Sequence, residues 1–170
     1  MVSEEDLKAV LAELHQLRNR VPQLTGALAA GVDGLVVAHD TPGVDPEGLA
    51  ALTAAALGVA VRVADATANG GFRELLVRGE RGYVATYAAG RTAVLTLLAQ
   101  DRVNVGRLHL EGRRSGARIG ELLDAADAAA REARRAGRPL GAVSPTPPTR
   151  TRTTRTPRAA SADARTATDS

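Results

Sequence analysis

The stretch Gly48-Leu49-Ala50-Ala51-Leu52-Thr53-Ala54-Ala55-Ala56-Leu57-Gly58-Val59-Ala60-Val61 carries no charge and one polar side chain, Thr53. The chain around it is 24% charged. Asp45, Pro46 and Glu47 precede the stretch as an N-cap, a first-turn proline and an acid at the positive helix end. They predict a helix from Pro46 to about Thr67. Leu49, Leu52, Ala56, Val59 and Val63 fall on one stripe of that helix. Leu57 and Val61 lie away from it, with Ala50 and Ala54. A helix facing water is polar on the wet side, and this one is apolar almost all round. The uncharged run is also shorter than the roughly 18–20 residues that cross a bilayer. The expectation is a helix covered twice, by its own sheet and by another chain, with Ala50, Thr53, Ala54, Leu57 and Val61 at the partner surface.

Outward from this helix, the chain alternates recognisable elements. Ser3 with Glu4, Glu5 and Asp6 starts a first helix, and Leu7, Val10, Leu11, Leu14 and Leu17 recur at helical spacing until Val21-Pro22. Leu24–Ala30 and Leu35–His39 read as strands joined at Asp33-Gly34, a strong two-residue hairpin signal. Asn69-Gly70-Gly71 stops the central helix. Phe72–Arg78, Tyr83–Ala88 and Thr92–Ala99 follow as an antiparallel meander separated by glycine turns. Asn104 can cap a last helix running to about Arg135, with Val105, Leu108, Gly112, Ser115, Ile119, Leu122 and Ala126 inward. Gly112, Gly116 and Gly120 leave one side of that helix bare. Each costs about 1 kcal/mol against alanine, which reflects either compositional drift or close packing on the sheet or a partner.

Charge divides the chain. Residues 1–137 hold 16 basic and 17 acidic side chains, whereas residues 138–170 hold six arginines and two aspartates. The basic excess belongs to the tail, so a basic folded surface for nucleic acid is not expected. The tail, rich in Pro, Thr, Arg, Ala and Ser, reads as disordered because it has little apolar surface to bury. The organisation expected is a domain over residues 1–137 and a basic tail over 138–170.

The chemistry-bearing residues are sparse. There is no cysteine, which removes disulfides, thiolate catalysis and Cys-ligated metal. His15, His39 and His109 have no second ligand at metal spacing. The sole lysine, Lys8, follows no glycine loop, so there is no Walker A pattern, and no dinucleotide fingerprint occurs. Asp33, Asp40 and Asp45 read as solvated loop acids. Tyr83 and Tyr87 share a strand face, which suits packing better than base stacking. No catalytic residue, metal ligand or cofactor is expected. No charged leader runs into an apolar segment, so neither secretion nor a membrane anchor is expected.

Several segments together resemble the Roadblock/dynein light chain superfamily. Gly31-Val32-Asp33-Gly34-Leu35-Val36-Val37-Ala38 resembles its first hairpin, and Arg81-Gly82-Tyr83-Val84 its turn into the fourth strand. Ala93–Ala99, Asp101 and Asn104-Val105-Gly106-Arg107-Leu108 resemble its last strand and the entry to its last helix. The resemblance covers roughly residues 3–135 in the order α-β-β-α-β-β-β-α. It implies an α+β, profilin-like fold, a five-stranded antiparallel sheet with the middle helix on one face and the terminal helices on the other. It also implies a homodimer through the middle helix and third strand, here including Phe72, Leu75 and Val77. The implied activity is that of a non-enzymatic, cytoplasmic adaptor or regulator of a small Ras-like GTPase, in bacterial relatives beside a sensor kinase. Two other readings remain: a small-molecule-sensing domain, and a nucleic-acid or membrane-surface binder acting through the tail.

Overall fold

The computed structural model describes residues 2–136. The tail, and with it the expected domain boundary at 137, lies outside the described residues. The element order is α1 (Glu4–Arg20), β1 (Leu24–Gly31), β2 (Val36–Asp40), α2 (Pro46–Ala66), β3 (Glu74–Gly79), β4 (Gly82–Ala89), β5 (Ala93–Gln100) and α3 (Val105–Ala136). This is the α-β-β-α-β-β-β-α order read from the sequence. The strands form one antiparallel sheet in the spatial order β2-β1-β5-β4-β3.

Local chemistry sets the element ends. Ser3 and Asp6 form a reciprocal capping box at the start of α1. The Asp45 carboxylate accepts from the amides of Glu47 and Gly48, opening α2 behind Pro46. The Asn104 side chain accepts from the Arg107 amide at 2.9 Å and starts α3. The β1–β2 connection is longer than the two residues expected. Gly31 bonds to the Leu35 carbonyl, so Val32, Asp33 and Gly34 all sit in the loop, with Gly34 at φ +85°. Asp33 accepts from the Leu35 amide across the bend.

Alternation along the strands sends residues to two cores. Ala27, Ala29, Ala85, Tyr87, Leu95 and Leu97 meet Val10, Leu14 and Leu17 of α1 and Leu108 and Ile119 of α3. On the other face Leu28, Ala30 and Val94 meet Ala50 and Leu57 of α2. Tyr83 packs against the same core as Tyr87, as their spacing predicts.

The glycines of α3 are explained by packing on the sheet. A side chain at Gly112 would enter the Tyr87 ring, and one at Gly120 would enter the backbone of Gly90. A Cβ at Gly116 would lie 2.9 Å from the Ala88 carbonyl oxygen. The helix therefore meets the Tyr87 ring at Gly112 and the backbone of β4 and the turn after it at Gly116 and Gly120.

Between α1 and α3 lies a polar network that sequence patterning did not reveal. Glu13, almost fully buried, accepts from Arg20 at 2.8 Å and from Ser115 at 2.6 Å. Arg20 also reaches Glu111 at 2.7 Å. Burial disfavours the Arg20 charge, but the hydrogen bonds it donates to Glu13 and Glu111, with the charges of those carboxylates, outweigh it and hold the guanidinium above its ordinary pKa.

Candidate interaction surface

The faces of α2 differ from the expectation. Ala50, Thr53 and Leu57 turn toward the chain's own sheet, and Leu57 is only 8% exposed. Val61 and Leu49 are half-buried against the same cluster, and Ala54 lies against Gly34 of the hairpin. Leu52, Val59 and Val63, expected on the inner stripe, are 71%, 64% and 57% exposed. Thr53 explains the rotation. Its hydroxyl lies 3.4 Å from that of Thr96, which lies 3.2 Å from that of Thr86. A buried hydroxyl needs a partner, and with this side turned inward Thr96 supplies one.

The third strand is also shifted from its expected bounds. Phe72 precedes β3 and packs, half-buried, against the Leu57 cluster. Leu75 and Val77 pair with Thr86 and Val84 and so share the sheet face that carries α2. Leu75 is half-buried and Val77 is 50% exposed. Leu76, on the opposite face, is also exposed.

The two sheet edges differ. At β2, the pairing with β1 slips so that Val37 is left without a partner residue, a bulge. Asp40 closes that strand in an ion pair with Arg18. A short strand, a bulge and a charge are the usual protections of an edge. At β3, six consecutive residues, Glu74 to Gly79, pair with β4 without a slip. Its outer side is a regular row of backbone groups beside Leu76 and Val77, with no partner strand among the described residues. The start of β3 is fastened to α3: Arg113 donates twice to Glu74, at 2.7 Å each. That pairing holds the Glu74 carboxyl below its ordinary pKa. His109 lies 3.7 Å from the same carboxylate and 3.1 Å from the Tyr87 hydroxyl. Burial pushes the Tyr87 phenol above its ordinary value.

Elsewhere the polar residues serve the fold. Asp33 closes the hairpin bend, Asp45 caps α2, and Asp40 holds Arg18. Among the described residues no group of three His, Asp or Glu side chains has metal-site geometry. Among the described residues one helix, α2, is long and apolar enough to cross a membrane. Here it packs on the sheet as a core helix of the domain.

A regular open strand thus lies beside an apolar helix face on a five-stranded antiparallel sheet. The Roadblock/LC7 domain model matches residues 10–99, and the chain belongs to that family. The uncharacterized protein MJ0714 of Methanocaldococcus jannaschii is 32% identical over 117 residues, covering 68% of this chain and 95% of the relative. MJ1340 of the same organism is 33% identical over 111 residues, covering 65% and 93%. Among solved structures, MglB in a tetrameric arrangement superposes with a TM-score of 0.69 at 22% identity, covering 74% of this chain and 96% of that one. The gliding protein MglB of Thermus thermophilus gives 0.66 at 22%, covering 72% and 93%. A Roadblock/LC7 domain from Streptomyces avermitilis gives 0.62 at 23%, covering 66% and 96%. At these identities the structural likenesses concern the fold.

Proposed function

We propose that the protein is a non-enzymatic homodimeric adaptor that binds a small Ras-like GTPase, in the cytoplasm and beside a sensor kinase. The observation that carries the dimer is the open β3 edge next to the exposed Leu52, Val59 and Val63 of α2. Antiparallel pairing of β3 with its copy joins two sheets into one and removes the unpaired backbone row. The same two-fold axis lays α2 antiparallel on its copy. Centred near Ala55, it sets Leu52 against Val59 of the partner subunit. Covering these side chains stabilises the dimer by on the order of 1–2 kcal/mol each. The GTPase reading rests on the family resemblance.

The chain has no cysteine of its own, so single cysteines report the axis cleanly. Ala55→Cys is expected to cross-link into a covalent dimer on mild oxidation, and Leu57→Cys is not. The reverse pattern removes this geometry. Pull-down of a cognate GTPase loaded with GDP or a GTP analogue tests the second half. Equal or absent binding in both states counts against the adaptor.

A further inference from the structure

Acidic and basic side chains nearly cancel over residues 1–137, 17 against 16, but the fold does not spread them evenly. From Arg102 to Arg118 the chain holds five arginines and one acid, Glu111. Glu111 is spent on Arg20, and Arg113 on Glu74. Arg118 lies 3.6 Å from the buried Glu13 yet is 67% exposed. Arg107 and Arg114 are exposed and make no ion pair among the described residues. Arg107, Leu110, Arg114 and Arg118 recur at i, i+3, i+7 and i+11, so they form one stripe of α3. Gly112, Gly116 and Gly120 face the sheet, and this stripe faces away from it. Leu110, in its middle, is 65% exposed. A polar groove of about 390 Å³ runs beside the stripe toward α1, lined by Gln16, Arg114, Ala117 and Arg118 together with Glu13, Arg20 and Glu121. All of this lies on the face of the sheet opposite α2, outside the surface that the proposed dimer covers.

We propose that this stripe docks an acidic amphipathic helix of a partner protein, with an apolar side chain on Leu110 and carboxylates on Arg107, Arg114 and Arg118. Arg107 to Arg118 spans about 16 Å of helix, the length over which two short helices interlock side chains. Arginine–carboxylate bonds are charge-assisted and directional, so they orient the partner around the central leucine. Glu121 closes the stripe with the opposite sign and sets the direction in which an acidic segment can lie. A bilayer needs a broader apolar face than one leucine. A nucleic-acid backbone would leave Leu110 unused and meet Glu121. The site depends on neither the dimer nor the GTPase reading and stands or falls separately from both.

The probe is a fluorescein-labelled helical peptide of about four turns, with leucines on one side and glutamates flanking them, titrated into the full chain and read by fluorescence anisotropy. The same peptide with glutamine for every glutamate is expected to bind at least tenfold more weakly. Arg107→Glu combined with Arg114→Glu is expected to weaken the acidic peptide at least tenfold while leaving the melting temperature in place. Should that variant melt early, Arg107→Ala with Arg114→Ala tests the same contacts. Leu110→Gln is expected to weaken it several-fold at unchanged charge, and Leu52→Glu to leave it unchanged. No binding at millimolar peptide overturns the proposal, as does equal binding by the glutamine peptide. Binding that survives both arginine pairs belongs to the arginines of residues 138–170 and also overturns it. So does equal or tighter binding to phosphatidylserine vesicles that is lost in the same variants, because the stripe is then a membrane contact.

Discussion

A methyl group added at Gly120 has nowhere to go, because the Gly90 backbone already fills its position. Gly120→Ala is therefore expected to lose about 1–3 kcal/mol in urea denaturation, the usual cost of overpacking. Helix propensity alone argues the other way, by about 1 kcal/mol in favour of alanine. Gly58 of α2 is the control, since no atom lies within 4 Å of its Cβ position. Gly58→Ala is expected to gain about 0.5–1 kcal/mol in the same measurement on dilute, monomeric protein. Glu74 supplies a second residue-scale expectation. Its carboxyl is held below the ordinary value of 4.5 by Arg113. A depressed folded pKa contributes stability that is complete above the unfolded value and is lost as pH falls through the folded one. Melting temperatures of the natural chain are expected to fall faster than those of Arg113→Gln below about pH 4.5. Parallel curves would show that the pair contributes nothing to folding, as many exposed ion pairs do.

Helices and strands were legible in the sequence wherever a cap or a glycine turn fixed their ends. Asp45-Pro46, Ser3 and Asn104 each start a helix where expected, and the glycine turns bound the meander. The rotation of α2 was not legible from apolar size, because both sides of that helix are apolar. The signal was Thr53, the one polar side chain of the run, whose buried hydroxyl meets Thr96 on the same side as Ala50 and Leu57. Gly112, Gly116 and Gly120 left drift and packing both open, since their neighbours lie in β4 and the turn after it, distant in sequence. Ser115, which joins Glu13 and Arg20 from the far helix, was invisible for the same reason. The corrected rotation changes the consequence of mutation. Leu57→Asp puts a charge into the chain's own core and is expected to unfold it, read as loss of a cooperative melt. Leu52→Glu or Val59→Glu is expected to leave the fold intact and give a monomer by sedimentation. A folded dimer in both variants removes α2 from the interface.

At the scale of the molecule, the two sheet edges are unlike. The β2 edge is bulged and charged, and the β3 edge is regular and bare. A dimer through β3 buries the bare edge and leaves the protected ones at both ends of a ten-stranded sheet, so growth stops at two. The Ala88 amide bonds to the Arg73 carbonyl, and Arg73 therefore faces β4. Antiparallel alternation then turns the backbone groups of Leu76 outward. Leu76→Pro removes one donor from the open edge. It is expected to weaken self-association at least tenfold in concentration-dependent sedimentation. Unchanged association would place the contact elsewhere on the surface.

Main-chain pairing along β3 is indifferent to which amino acids the strands carry. Any sister protein of this fold, made in the same cell, presents a strand that could mate with it equally well. Fidelity between like chains has to be written elsewhere, and the outward-facing Leu52, Val59 and Val63 are where the described surface has room to write it. Exchanging those three side chains between two such proteins should redirect who marries whom, with neither strand altered.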